Sequence, residues 1–218
     1  NMESIRRKVF GIDNGILLLL AIFAFVFVFP IIDNEYMHNV FVTTAYSTVL
    51  ISIFSIIRRN NKLLSLMVII SIIANITSIF AQQKGVMLAV FIISAITFII
   101  VAIILIKDIS ASKNVDITVV IHAICGYLVI GIIGVLLNTL LLSYNPGAIS
   151  ISDGNDRFSS LIYYSFITLT TIGYGEITPL SVPARSVSIL MGVMGQIYLT
   201  VIIAMIVSKY MTGKKQTN

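Results

Sequence analysis

Charge is scarce in this sequence. Of its 218 residues only 11% are Asp, Glu, Lys or Arg, against 58% hydrophobic residues and a mean hydropathy of +1.04. Soluble globular domains carry about 25% charged residues, so this composition excludes a water-soluble enzyme and makes lipid the solvent for much of the chain. Tryptophan is absent and cysteine occurs once, as Cys125. A single thiol cannot form an intrachain disulfide, and without a CxxC pair or a His/Cys cluster no side-chain metal centre is supported. His38, His122 and Cys125 accordingly read as packed or interfacial residues rather than ligands. The net charge is +5 with a pI near 9.4. The basic residues lie between apolar stretches, where membrane topology accounts for them better than nucleic-acid binding does.

What is present is a series of long apolar segments. Five run from Asn14 to Ile32, Asn39 to Ile57, Leu63 to Gln83, Gly85 to Ile106 and Ile117 to about Leu142, and a last one from Ser186 to Ser208. A helix rises about 1.5 Å per residue, so about 20 residues cross a hydrocarbon core of about 30 Å. Apolarity on all faces favours lipid-embedded helices over the alternation of a barrel strand. The expected fold class is therefore an all-α integral membrane protein with six transmembrane helices. The first segment has a basic start but no small-x-small cleavage site, and reads as a span rather than a cleaved signal. These segments and their connections nearly exhaust the length, leaving no large cytoplasmic domain to expect.

A cytoplasmic N terminus would put Arg6, Arg7, Lys8, Arg58, Arg59, Lys62, Lys107, Lys113, Lys209, Lys214 and Lys215 inside, and only Lys84, Arg157 and Arg185 outside. That asymmetry predicts a multi-pass protein of the cell membrane with both termini cytoplasmic. Composition divides the chain near the polar stretch DISASKNVD at 108–116. Residues 1–110 form an expected four-helix peripheral unit, and 111–218 a second unit.

The second unit holds the chemistry. Between its two spans lies YYSFITLTTIGYGEITP, from Tyr163 to Pro179. This stretch resembles the pore loop of bacterial potassium channels with a two-helix pore module, and the resemblance covers roughly residues 115–210. It carries the TLT before the filter, the TIGYG core, an acidic residue after it, Pro179 and a glycine-containing last helix. The resemblance implies a re-entrant pore helix and a selectivity-filter loop, with identical subunits assembled as a homotetramer around one axis. Thr171, Ile172, Gly173 and Tyr174 would present backbone carbonyls to K⁺, and Thr171 would add its hydroxyl at the inner end. Neutral oxygens can replace the hydration shell of an ion without trapping it. Glycines at alternate positions tolerate backbone angles that a Cβ opposes, which suits Gly173 and Gly175.

Gly175, Glu176, Thr170 and Tyr164 are the expected filter supports. Tyr174 should point away from the ion path and pack against Tyr163 or Tyr164. The pore helix is predicted from Arg157 or Phe158 to Leu169, with unpaired carbonyls at its C-terminal end aimed at the ion. Ile167 stands where some relatives have glutamate, and Asn138 is a candidate partner for the pore helix. Gly195 follows the last filter glycine at the spacing of a bending glycine, and reads either as a gating hinge or as a close helix contact.

The fourth segment contains no basic residue, so the peripheral unit lacks the spaced arginines of a voltage sensor. Ser71, Asn75 and Ser78 give it a polar face. The expected function is passive, selective K⁺ conduction, with K⁺ as permeant ligand and no cofactor, enzymatic activity or nucleic-acid partner; lipids and identical subunits are the partners. A weakly selective cation channel, a transporter and a nonconducting assembly subunit are the competing readings. One re-entrant segment without an inverted repeat weighs against the transporter.

Overall fold

The computed structural model describes residues 14–31, 44, 46–53, 62–80, 84–112, 115–151 and 157–215. His38, Arg6, Arg7, Lys8, Arg58, Arg59, Lys113 and much of the predicted second span lie outside the described residues, as do the Lys214 and Lys215 side chains. In chain order the elements are α1 (14–23), α2 (46–53), α3 (Lys62–Phe80), α4 (Lys84–Ala111), α5 (Ile117–Tyr144), β1 (Ile149–Ser150), α6 (Arg157–Leu169), β2 (Thr178–Pro179) and α7 (Val182–Lys215).

Among the described residues, three helices are long and apolar enough to cross a membrane: Leu88–Ala111 in α4, all of α5, and Val182–Met211 in α7. Asn14–Val28 and Ser65–Thr77 are shorter apolar helices. This is a multi-pass membrane protein.

Local sequence explains where the helices begin and end. The Asp116 side chain caps α5 by accepting from the Val119 N–H at 3.1 Å, satisfying one of the donors that a helix start leaves free. At the other end the Asn145 N–H returns to the Leu141 carbonyl at 2.8 Å. Helix α7 starts earlier than its apolar run: Ser181 Oγ accepts from the Ala184 N–H at 3.3 Å, and Pro183, whose missing N–H is harmless in a first turn, follows. Helix α1 gives way to a π-helical turn, Ala24–Val28, and a 3₁₀ turn, Phe29–Ile31. Pro30 has no N–H to bond residue 26, which breaks the regular ladder there.

Packing is centred on α5, whose most apolar stretch is 67% buried, against 22% for that of α7. The main core joins Leu18 and Ile22 of α1, Phe25 of the π-helical turn after it, Tyr46 and Leu50 of α2, Phe98 and Leu105 of α4, Val129 and Ile132 of α5, and Phe158 and Leu161 of α6. It runs without a break across the compositional boundary at 110. Phe158 is the joint: its ring lies 6.2 Å from Phe25 and 5.9 Å from Tyr46, in edge-on contacts. The turn after α1 and the start of α2 therefore clasp the first turn of α6.

The polar face of α3 is paired as the sequence suggests. Ser71 Oγ lies 2.7 Å from Thr97 Oγ1, and Asn75 Nδ2 donates to the Ser71 carbonyl at 2.8 Å and to Ser94 Oγ at 3.1 Å. Such bonds glue helices where lipid removes the hydrophobic drive between them. The Ser78 side chain lies outside the described residues. At the far end of α4, Lys209 of α7 donates to the Ile109 carbonyl at 2.6 Å and the Ser110 carbonyl at 2.8 Å, supplying donors and positive charge to a helix C-terminus.

Candidate functional site

Helix α6 sits between α5 and α7, held by side chains from both. Asn138 Nδ2 of α5 donates to Ser165 Oγ at 3.0 Å with both residues fully buried, so the sequence candidate for a pore-helix partner does make that bond. Tyr164 does not stack on Tyr174: its hydroxyl lies 2.5 Å from Ser188 Oγ of α7. Small residues admit α6 to its neighbours. Gly131 faces the Phe166 ring, and Gly195 faces the Leu169 carbonyl so closely that a Cβ would collide with it. In this conformation Gly195 is a close helix contact. Gly192 is looser, with the Thr168 carbonyl 3.9 Å from where its Cβ would be.

The end of α6 departs from expectation in a way that bears on the loop after it. The carbonyls of its last turn are not unpaired. The Thr170 N–H returns to the Phe166 carbonyl at 3.0 Å, Thr171 N–H to Thr168 at 3.1 Å, and Ile172 N–H to Ile167 at 2.9 Å. Gly173 N–H reaches the Ile167 carbonyl as well, at 3.2 Å. The Tyr127 hydroxyl takes the Leu169 carbonyl at 3.4 Å. The pairs 172→167 and 171→168 are those of a Schellman motif, in which the residue after the cap is left-handed and usually glycine. That residue here is Thr171, with φ +60°. A β-branched residue in the left-handed region is a true outlier, of the kind that clusters at functional sites.

Left-handed angles then recur at every second position: Thr171 at +60°, Gly173 at +56° and Gly175 at +95°. Thr170 braces the start of this run, its hydroxyl donating to the Phe166 carbonyl at 2.7 Å, and Thr168 does the same to Tyr164 at 2.7 Å. Beyond the run, Glu176 interacts with the Tyr163 hydroxyl. The chain is then tied down by an antiparallel clip, Ile149 opposite Pro179 and Ser150 opposite Thr178. The Leu180 and Ser181 N–H groups add bonds to the Ala148 carbonyl at 2.9 and 3.1 Å.

From Thr171 to Glu176 the loop is exposed within one chain, and the Tyr174 side chain is 74% exposed rather than packed behind the loop. A cavity of about 790 Å³ opens beside Ile172 and Glu176, bordered by Phe27 and Pro30 of the turns that follow α1, Tyr127 of α5 and Phe166 of α6. The loop is therefore anchored at both ends by its own chain, while its middle is not backed by it. One residue that sequence reasoning passed over also meets it: Gln196 Nε2 of α7 donates to Thr171 Oγ1 at 3.2 Å. Its sequence signal was a carboxamide alone between Gly195 and Ile197 in an otherwise apolar run. The other unassigned residues, His122 and Cys125, lie against Gly15 of α1, with Cys125 Sγ 3.9 Å from the Gly15 carbonyl.

Comparison with known proteins gives this arrangement a context. Residues 117–212, from the start of α5 into the last turns of α7, match a family model described as ion channel. The probable potassium channel protein 2 of Methanocaldococcus jannaschii is 45% identical over 58 residues. These likenesses support membership in an ion-channel family. It is a channel assignment, not an enzymatic one. The aligned channel stretch is 27% of this chain and spans 16% of that relative's length. No solved structure matches significantly.

Proposed function

We infer that the protein conducts K⁺ passively and selectively down its electrochemical gradient, through a central pore formed by four identical chains. The observation that carries this reading is the alternation of left-handed angles at Thr171, Gly173 and Gly175 in the TIGYG stretch. Mirror-related angles at successive residues turn the intervening carbonyls toward one side, as a row of ion ligands requires. In this reading Thr171, Ile172, Gly173 and Tyr174 supply carbonyl oxygens, and Gly175, Glu176, Thr170 and Tyr164 hold the loop. Four chains close rings of these oxygens, and the exposed faces of the loop and α7 supply surface for the neighbours and for lipid.

Six spans, with residues 1–110 as a peripheral unit and 111–218 as the pore unit, complete the arrangement. Both termini lie on the cytoplasmic side. Helix α4 has basic residues only at its ends, Lys84 and Lys107, so steep voltage sensing is not part of the proposal. Gly195 stands as a contact in this conformation and as a hinge for opening.

Purified protein in liposomes with opposed K⁺ and Na⁺ gradients tests the reading. The expected reversal potential lies near that of K⁺, and four subunits are expected by cross-linking. A reversal near zero would replace the proposal with a weakly selective cation channel. Absence of flux from tetramers would favour an assembly subunit, and stoichiometric coupling in a monomer a transporter. Gly173→Val should abolish selective flux without preventing expression, because the left-handed angle costs a side chain about 1–2 kcal/mol in each subunit.

A further inference from the structure

Gln196 occupies a position where the proposed filter meets the face of α7 below it. Four residues on that face, Gln196, Thr200, Ile203 and Val207, follow helical spacing and are all exposed in the single chain. The upper two are polar and the lower two apolar. Thr200 spends its hydroxyl on the Gln196 backbone carbonyl at 2.8 Å, which leaves the Gln196 carboxamide as the polar group directed at the loop. Its Nε2 donates to Thr171 Oγ1 at 3.2 Å.

A hydroxyl oxygen has two acceptor lone pairs. One of those on Thr171 is taken by the Gln196 N–H, so only the second remains for a cation. The donor also brings the positive end of a dipole to the place where a cation would bind. We propose that Gln196 is a positioning residue for the inner end of the filter: its carboxamide holds the Thr171 hydroxyl and thereby weakens the innermost cation site. The consequence is faster exchange of ions between this site and the space beneath it. The inference rests on the K⁺-channel reading, since it needs Thr171 to face the ion path.

Ba²⁺ applied from the inner side is a suitable probe, because it binds oxygen ligands more tightly than K⁺ does for its greater charge. The variants are Gln196→Leu, which removes the carboxamide, and Gln196→Asn, which keeps it but shortens the side chain by one methylene so that it falls short of Thr171. Both are first checked for tetramer assembly. Losing one competing hydrogen bond should tighten Ba²⁺ block about three- to tenfold in both variants. The K⁺ concentration giving half-maximal thermal stabilisation in detergent should fall in the same direction.

Unchanged block in both variants overturns the inference. Tighter block in Gln196→Leu with wild-type block in Gln196→Asn also overturns it, since general polarity beneath the filter would then be responsible rather than the bond to Thr171. Should the leucine variant not assemble, the asparagine variant decides alone. Wild-type liposomes run in parallel separate the two levels: no K⁺ flux there refutes the channel reading and the inference with it, whereas K⁺ flux with block insensitive to residue 196 refutes only the inference.

Discussion

Replacing Gly195 by alanine should destabilise the protein, and the sign of the effect separates two roles for this glycine. A Cβ built at Gly195 would overlap the Leu169 carbonyl oxygen and lie 3.1 Å from both the Leu169 carbonyl carbon and its Cδ1. Ordinary carbon–oxygen contacts begin at about 3.3 Å, so α7 or the end of α6 must move by about 1 Å. The obstacle is backbone, which cannot rotate away. Forced overpacking of this kind costs about 1–3 kcal/mol per site. Alanine within a helix would otherwise gain about 1 kcal/mol over glycine, so a glycine present only for flexibility predicts the opposite sign.

The displacement would also be felt beyond the helix. Leu169 ends α6, and the loop hangs from the carbonyls just before it through Thr171, Ile172 and Gly173. Selective flux should therefore fall together with stability. Gly192→Ala is the control, because its nearest neighbour would be the Thr168 carbonyl oxygen at 3.9 Å, an ordinary contact. Thermal melting of the two variants in detergent, followed by liposome flux, reads both effects. A Gly195→Ala protein that melts higher than wild type, as Gly192→Ala is expected to, would refute the packing argument.

Other substitutions probe the joints around the loop. Thr171→Gly should conserve or raise thermal stability while impairing selective flux, because glycine removes about 1–2 kcal/mol of left-handed strain but also the hydroxyl; a large loss of stability would contradict the strain assignment. Ser165→Ala should be more destabilising than Asn138→Leu. The first strands a buried carboxamide whose Oδ1 already lacks a partner, at about 1–3 kcal/mol, whereas the second removes that orphan atom along with the bond. Equal melting temperatures for the two would refute this. Lys209→Met keeps the apolar stem but withdraws the donor from α4, and should cost about 0.5–2 kcal/mol. Faster hydrogen exchange confined to the last turn of α4 is the expected readout, and unchanged exchange there would refute the capping role.

The apolar runs placed the main helices well because their ends are chemical events: Asp116 caps α5, and lysines mark α3 and α4. The predicted pore helix from Arg157 or Phe158 to Leu169 coincides with α6. The last apolar run begins at Ser186, four residues into α7, since hydropathy registers Arg185 as a boundary while Ser181 and Pro183 begin the helix before it. The β1–β2 clip leaves no mark in the sequence, because two-residue strands have no periodicity to read. The capping motif at the end of α6 was hidden by its own anomaly, a threonine where glycine is the usual sign. Contacts such as Gln196 with Thr171 depend on how two helices cross, and a lone carboxamide in an apolar run announces a partner without naming it.

The bonds from Lys209 to α4 bear on mechanics. Apolar contacts between helices let one slide along the other, because each lost contact is replaced by a similar one. Two short bonds from one ammonium to two neighbouring carbonyls have no such substitute a turn away, since the carbonyls farther up α4 already bond within the helix. A shift of α7 along α4 by a full turn at this end therefore breaks both bonds without replacing them, so the cost of such a shift is concentrated in one side chain rather than spread along the helix face.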